Sequence, residues 1–165
     1  MKLLFKQRLF SWFDSYDIYG EDGGTVYEVK GQLAWGHCLK VFDPSGRELA
    51  VVRERILSLL PRFEVYEGER LLGTIRRALS LFKPRYDIDY NGWTVEGDLF
   101  GWDYTVTAPH GGTVATVSKE VLRLTDTYVL DIVRPEDALH VLALVLAIDA
   151  EKCSQGIAGA VLDNI

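Results

Sequence analysis

The stretch "EDALHVLALVLAIDAEKC", Glu136 to Cys153, decides how the rest of the chain is read. From Ala138 to Ile148 it runs eleven residues, and His140 is the only polar one among them. Ala and Leu are strong helix formers. Pro135 just ahead suits a first helical position, and Glu136 and Asp137 come next, where carboxylates favour the positive end of the helix dipole. Gly156 stands where a C-terminal cap is expected, so the spacing predicts a helix over about 135–154. Its apolar residues go all the way round rather than along one stripe, which marks a helix enclosed on every side. A bilayer and a protein core can both do that. A bilayer needs about 20 apolar residues. Eleven span roughly 16 Å at 1.5 Å per residue, and Asp137, Asp149 and Glu151 lie close at the ends. The stretch therefore reads as a core and not as a transmembrane segment.

The rest of the chain has to enclose that helix, and it reads as short strands. Apolar and polar residues alternate, Val, Ile, Tyr and Thr are frequent, and turn residues recur every 8–12 positions or so. Strands are predicted near 2–6, 14–20, 26–31, 37–43, 48–55, 62–67, 70–77, 85–90, 93–98, 103–108, 113–119 and 127–133. The turns have physical causes. "DPSG" (43–46) has Pro second and Gly fourth, as a type I turn prefers. "YNGW" (90–93) is the Asn-Gly hairpin signal, in which both central residues reach positive φ. "EGER" (67–70) and "HGGT" (110–113) supply Gly for the same purpose.

The chain also repeats itself. At a shift of 66 residues, Gly31 falls on Gly97, Leu33 on Leu99, Gly46 on Gly112, Arg53-Glu54 on Lys119-Glu120 and Ile56 on Leu122. The blocks 26–67 and 93–133 then coincide. A single repeat cannot bury its apolar face alone, and closure removes exposed strand edges. The expected fold is one domain over 1–165. It is a mainly β, closed twelve-stranded antiparallel barrel with the hydrophobic C-terminal helix buried along its centre.

A chain of 165 residues suits one domain with a core of its own. Its 48% hydrophobic and 25% charged residues place it among ordinary globular proteins. A net charge of −6 argues against general affinity for nucleic acid. Cys38 and Cys153 are too few for a secreted disulfide framework, and "MKLLFKQRLF" has charges inside its apolar part and no cleavage site. A cytoplasmic protein is the expectation.

Charge is unevenly spread. Residues 53–85 hold 8 basic and 4 acidic side chains, a net of +4, whereas residues 86–165 hold 4 basic and 13 acidic, a net of −9. The middle third is thus the place for an anion to dock. Arg53 and Arg55 lie two apart, so both should leave a strand on one face. Arg76, Arg77, Lys83 and Arg85 come after them. Arginine presents a planar fork of donors suited to phosphate. Glu54, Glu64, Glu67 and Glu69 lie nearby to offset them.

Other candidates are weaker. His37 and Cys38 are adjacent, so a strand sends them to opposite faces. Zinc asks for four ligands at ordered spacings, which two scattered cysteines do not supply, so no metal or cofactor is expected. His140 reads as a hydrogen-bonded core residue, and His110 as a turn residue. Asp87 and Asp89 share a strand face, which an exposed barrel wall explains. The four tryptophans, Trp12, Trp35, Trp93 and Trp102, read as strand and loop packing, the alternative for Trp12, with Phe10 and Phe13 beside Lys6 and Arg8, being an interfacial anchor. No nucleophile–base pair, phosphate-cradling glycine loop or Gly-x-Ser-x-Gly elbow occurs, so no enzymatic activity is expected.

The segment "SLLPRFEVYEGERLLGTIRRALSLFKPRYDIDYNGWTVEGDLFGWDYTV", with "DTYVLDIV" and "EDALHVLALVLAID" after it, resembles the LURP-one-related family in its bacterial branch. The motifs "LLPR", "FKPRY" and "WTVEGD" carry the resemblance, which extends over essentially the whole chain. That family belongs to the tubby-like superfamily, with the tubby C-terminal domain and the phospholipid scramblases. The resemblance implies a twelve-stranded barrel around a central hydrophobic helix. It also implies a theme of phospholipid or phosphoinositide binding, with no lipid-binding residue transferable position by position. Two function classes result. One is a non-enzymatic binding module for an anionic phospholipid headgroup or another phosphorylated ligand, peripheral to the membrane. The other is a protein-interaction or scaffold protein with no small ligand.

Overall fold

Alternation in the sequence turns into strand almost everywhere it occurs. The structure, a computed structural model, describes residues 1–6, 15–34, 36–55, 62–78, 85–89, 91–99, 101–122 and 125–162. For residues 6, 33, 34, 77, 78, 85, 86, 121, 122, 125, 126 and 152–162 it describes the backbone alone. Among the described residues are twelve strands. They are β1 (Lys2–Lys6), β2 (Ser15–Gly20), β3 (Thr25–Ala34), β4 (Gly36–Phe42), β5 (Glu48–Glu54) and β6 (Arg62–Glu67), then β7 (Arg70–Ala78), β8 (Arg85–Ile88), β9 (Thr94–Asp98), β10 (Asp103–Thr107), β11 (Thr113–Leu122) and β12 (Thr125–Ile132). A short 3-10 turn, Pro135–Asp137, then leads into α1 (Ala138–Leu162).

The strands form one antiparallel sheet in the order β8-β7-β6-β5-β4-β3-β2-β1-β12-β11-β10-β9. Consecutive strands pair within β1–β8 and again within β9–β12. The two runs are joined where β1 pairs β12, with Leu3 opposite Leu130 and Phe5 opposite Tyr128. The Met1 ammonium adds a hydrogen bond to the Ile132 carbonyl oxygen at 2.9 Å. The sheet curls into a nearly closed barrel, bringing β8 and β9 near each other.

The seam differs from the expectation of an Asn-Gly hairpin. Asn91 and Gly92 do take positive φ, 57° and 63°. Yet among the described residues no ladder joins β8 to β9. The physical cause is the packing of the residues around the turn. Trp93 is buried in the core, edge-on to His140 at 6.3 Å between ring centroids. A Cβ on Gly92 would meet Pro109 at 2.7 Å. Trp93 is thus anchored in the core, and position 92 has room only for glycine.

The core is the helix and the inner sheet face. No residue from Val141 to Ile148 is more than 1% exposed, so every side of the helix is covered. Val52, Phe63, Val65 and Ile75 from one wall and Val117, Leu130 and Ile132 from the other belong to the same cluster. Asp137, buried at the start, is held by Arg134 at 2.9 Å. The helix runs further than the expected 135–154, passing through Gly156 to Leu162. A cap glycine ends a helix only by turning left-handed. Here Ile157, Ala158, Ala160, Val161 and Leu162 carry the helix on, and an interior glycine costs only about 1 kcal/mol. No helix among the described residues is long and apolar enough to cross a membrane.

Candidate functional site

The inner residues of β5–β7 fix where their neighbours point. Val52, Phe63, Val65 and Ile75 face the helix, so period-two alternation sends Arg53, Arg62, Glu64, Tyr66, Thr74 and Arg76 to the outer wall. Register then sets them side by side. Arg53 lies opposite Glu64, Glu64 opposite Thr74, and Arg62 opposite Arg76. Arg55, just past β5, keeps the ladder going through its N–H to the Arg62 carbonyl at 2.9 Å.

Glu64 is the centre of this face. Though it points outward, it is only 4% exposed. Its carboxylate accepts a hydrogen bond from the Tyr66 hydroxyl at 2.6 Å and pairs with Arg55 Nε at 2.9 Å and Arg62 Nη2 at 3.6 Å. Burial pushes the Glu64 carboxyl upward. The Tyr66 hydrogen bond and the two guanidinium groups outweigh it and hold the carboxyl below its ordinary range. The same bond to Glu64 pushes the Tyr66 phenol up.

The other arginines are less engaged. Arg53 rests over the Tyr66 ring, 5.8 Å from its centroid, a cation–π contact. Among the described residues no carboxylate pairs with it. Arg76 reaches the Thr74 hydroxyl at 3.4 Å and Asp89 at 3.5 Å. Arg62 Nε is buried with no acceptor among the described residues.

The expected basic set therefore divides. Arg53, Arg55 and Arg76 share the outer face. Arg77 and Arg85 lie opposite Tyr86 and Ala78 in the β7–β8 ladder, but only their backbones are described. Lys83, like Trp12, lies outside the described residues. Reading the sequence alone missed Arg62, which completes the arginine group, and Glu64 as its organiser. The signal was present in the parity of Arg62 with Glu64 but needed the cross-strand register.

Glu54 is not part of the arginine face. Its carboxylate accepts the His37 backbone N–H at 3.1 Å and lies 3.7 Å from His37 Nε2. Burial pushes the His37 pKa down, against the opposing charge of Glu54. Cys38 is buried and forms no disulfide among the described residues. Asp87 and Asp89 are exposed, and Asp87 lies opposite Arg76 in register. His140, half-buried, lies 3.2 Å through Nδ1 from the Asn91 amide nitrogen. Among the described residues no three metal-ligating side chains come together.

These two titrating groups give stability a pH dependence. His37 favours its neutral form when folded, so protonation favours the unfolded chain as pH falls below about 6.5. Glu64 has a depressed folded pKa. Its contribution is complete above its unfolded value of about 4.3 and is lost as pH falls through the lower folded value. Urea midpoints measured from pH 7 to pH 3 should fall in two stages. His37→Gln should remove the first stage and Glu64→Gln the second. A wild-type midpoint that is level between pH 7 and pH 5 would refute the His37 assignment.

Comparison with known proteins agrees with this architecture. A model of the LURP-one-related family matches residues 1–149. The uncharacterized protein YxjI of Bacillus subtilis (strain 168) is 30% identical over 150 residues, covering 90% of this chain and 92% of that one. The X-ray structure of a protein from Arabidopsis thaliana shares the fold at a TM-score of 0.60, with 18% identity and 90% of each chain covered. The chain thus belongs to the LURP-one-related family.

Proposed function

We propose that this protein is a non-enzymatic binding module whose outer β5–β7 face takes an anionic ligand. That ligand is an anionic phospholipid headgroup or another phosphorylated molecule, met by a cytoplasmic protein at the membrane periphery. One observation carries the reading. Arg62 lies directly opposite Arg76, with Arg53 and Arg55 alongside. Like charges directly opposite on a sheet repel, and a shared anion relieves that repulsion while using guanidinium forks suited to phosphate.

The test is co-sedimentation with anionic vesicles at low and moderate salt. Arg53→Glu is the informative variant, because Arg53 holds no carboxylate among the described residues. Arg55 is less suitable, since its replacement would also disturb Glu64. A basic side chain near an anionic membrane contributes about 1 kcal/mol, so reversal of one charge should weaken binding about tenfold or more. Exposed charges are screened beyond about 10 Å at 0.1 M salt, so wild-type binding should weaken as salt rises. No binding at low salt, or binding indifferent to Arg53→Glu, rules the reading out. A second reading would then lead. The exposed carboxylates Glu96, Asp98, Asp103, Glu120 and Asp131 on β9–β12 favour a scaffold that meets a basic protein partner.

A further inference from the structure

We infer that Glu64 is a built-in competitor for the ligand of the arginine face, limiting its affinity for anions. The inference rests on the proposed function and adds a residue that regulates it. The Glu64 carboxylate already occupies the donors that an incoming phosphate would use, namely Arg55 Nε at 2.9 Å, Arg62 Nη2 at 3.6 Å and the Tyr66 hydroxyl at 2.6 Å. A carboxylate and a phosphate oxygen ask the same of a guanidinium fork.

The local charge is consistent with this role. Four arginines, 53, 55, 62 and 76, face three carboxylates, Glu64, Asp87 and Asp89. The two aspartates are exposed on the β8 side, whereas Glu64 is buried among the arginines. A buried carboxylate with three donors is the strongest anion already present on the face. A ligand that engages Arg55 or Arg62 must outcompete it. A dianionic phosphate monoester does so better than a monoanionic phosphodiester, because it offers twice the charge to the same forks.

Glu64→Gln keeps the shape and removes the charge. The probes are phosphatidylcholine vesicles doped either with phosphatidylserine or with a phosphoinositide carrying phosphate monoesters. Free inositol phosphate is added as a soluble competitor. Removal of one negative charge equals addition of one positive charge, so folded Glu64→Gln should bind about fivefold tighter. The gain should be larger for the phosphoinositide vesicles, because a dianionic phosphate monoester feels the removed charge twice over. Displacement by free inositol phosphate identifies the headgroup phosphate as the recognised part. Failure of that displacement assigns recognition to the assembled lipid surface, with the role of Glu64 unchanged. If wild type binds and folded Glu64→Gln binds no tighter, the competitor role is overturned and the binding face stands. If neither binds, both fall. If only the variant binds, Glu64 keeps the face closed. Should Glu64→Gln not fold, Glu64→Thr reads the same quantity with a β-favouring residue that matches Thr74 opposite.

Discussion

Removal of residues 135–165 is expected to leave a chain that neither stays in solution nor unfolds cooperatively. The deleted segment holds Val141, Leu142, Leu144, Val145, Leu146 and Ile148, each at most 1% exposed. Full burial of such a side chain is worth about 1.5–3 kcal/mol. Six of them match the whole net stability of an ordinary domain, about 5–15 kcal/mol. The loss is felt twice, because the deletion also uncovers inward residues such as Phe63, Val65 and Leu130. Soluble yield and a urea transition tracked by tryptophan fluorescence measure the outcome. A soluble truncated chain with a cooperative transition would show that the barrel fills its own centre.

The second large effect is expected from Leu144→Asp. Leu144 lies in the middle of the fully covered run and is 0% exposed. A carboxylate there loses its water and gains no partner among its apolar neighbours. The chain must accept an unpaired charge, a shifted pKa or a displaced helix, each of which is severe. A loss of more than about 4 kcal/mol is expected, in the range reserved for specific core defects. Leu144→Ala is the size control and should cost about 2–5 kcal/mol with the fold retained. Thermal denaturation of the three proteins side by side gives the ranking. An Asp variant as stable as the Ala variant would mean that position 144 reaches water.

The strands and the start of the helix were legible because both have short periods that sequence displays directly. Phe63, Val65 and Ile75 alternate with polar neighbours, and that alternation assigns the two faces of β6 and β7. The all-round apolar run from Val141 to Ile148 announced enclosure. The features that escaped depend on distant partners. Asn91-Gly92 has the dihedrals of a hairpin turn, but among the described residues no ladder joins the strands on either side, and Trp93 packs into the core instead. Gly156 has the identity of a cap, but its successors keep the helix going. At the candidate site, Glu54 and Glu64 look alike in the sequence. Strand parity sends one to His37 and the other among the arginines, and register makes Arg62 the neighbour of Arg76.

The pairing of β1 with β12 has a consequence for synthesis. β1 is made before every other strand, yet β12, its partner on the side away from β2, follows some 120 residues later. Until then, β1 and β8 are both open edges of a growing meander whose inner face is unclothed. The helix that will clothe it is made after all twelve strands. The order of manufacture is therefore the reverse of what protection would demand. The nascent chain carries an open apolar face until then, and the joining of the two runs of strands must await β12. Contacts so distant along the chain make for slow folding. An unfinished ring with two bare rims is an invitation to intermolecular pairing.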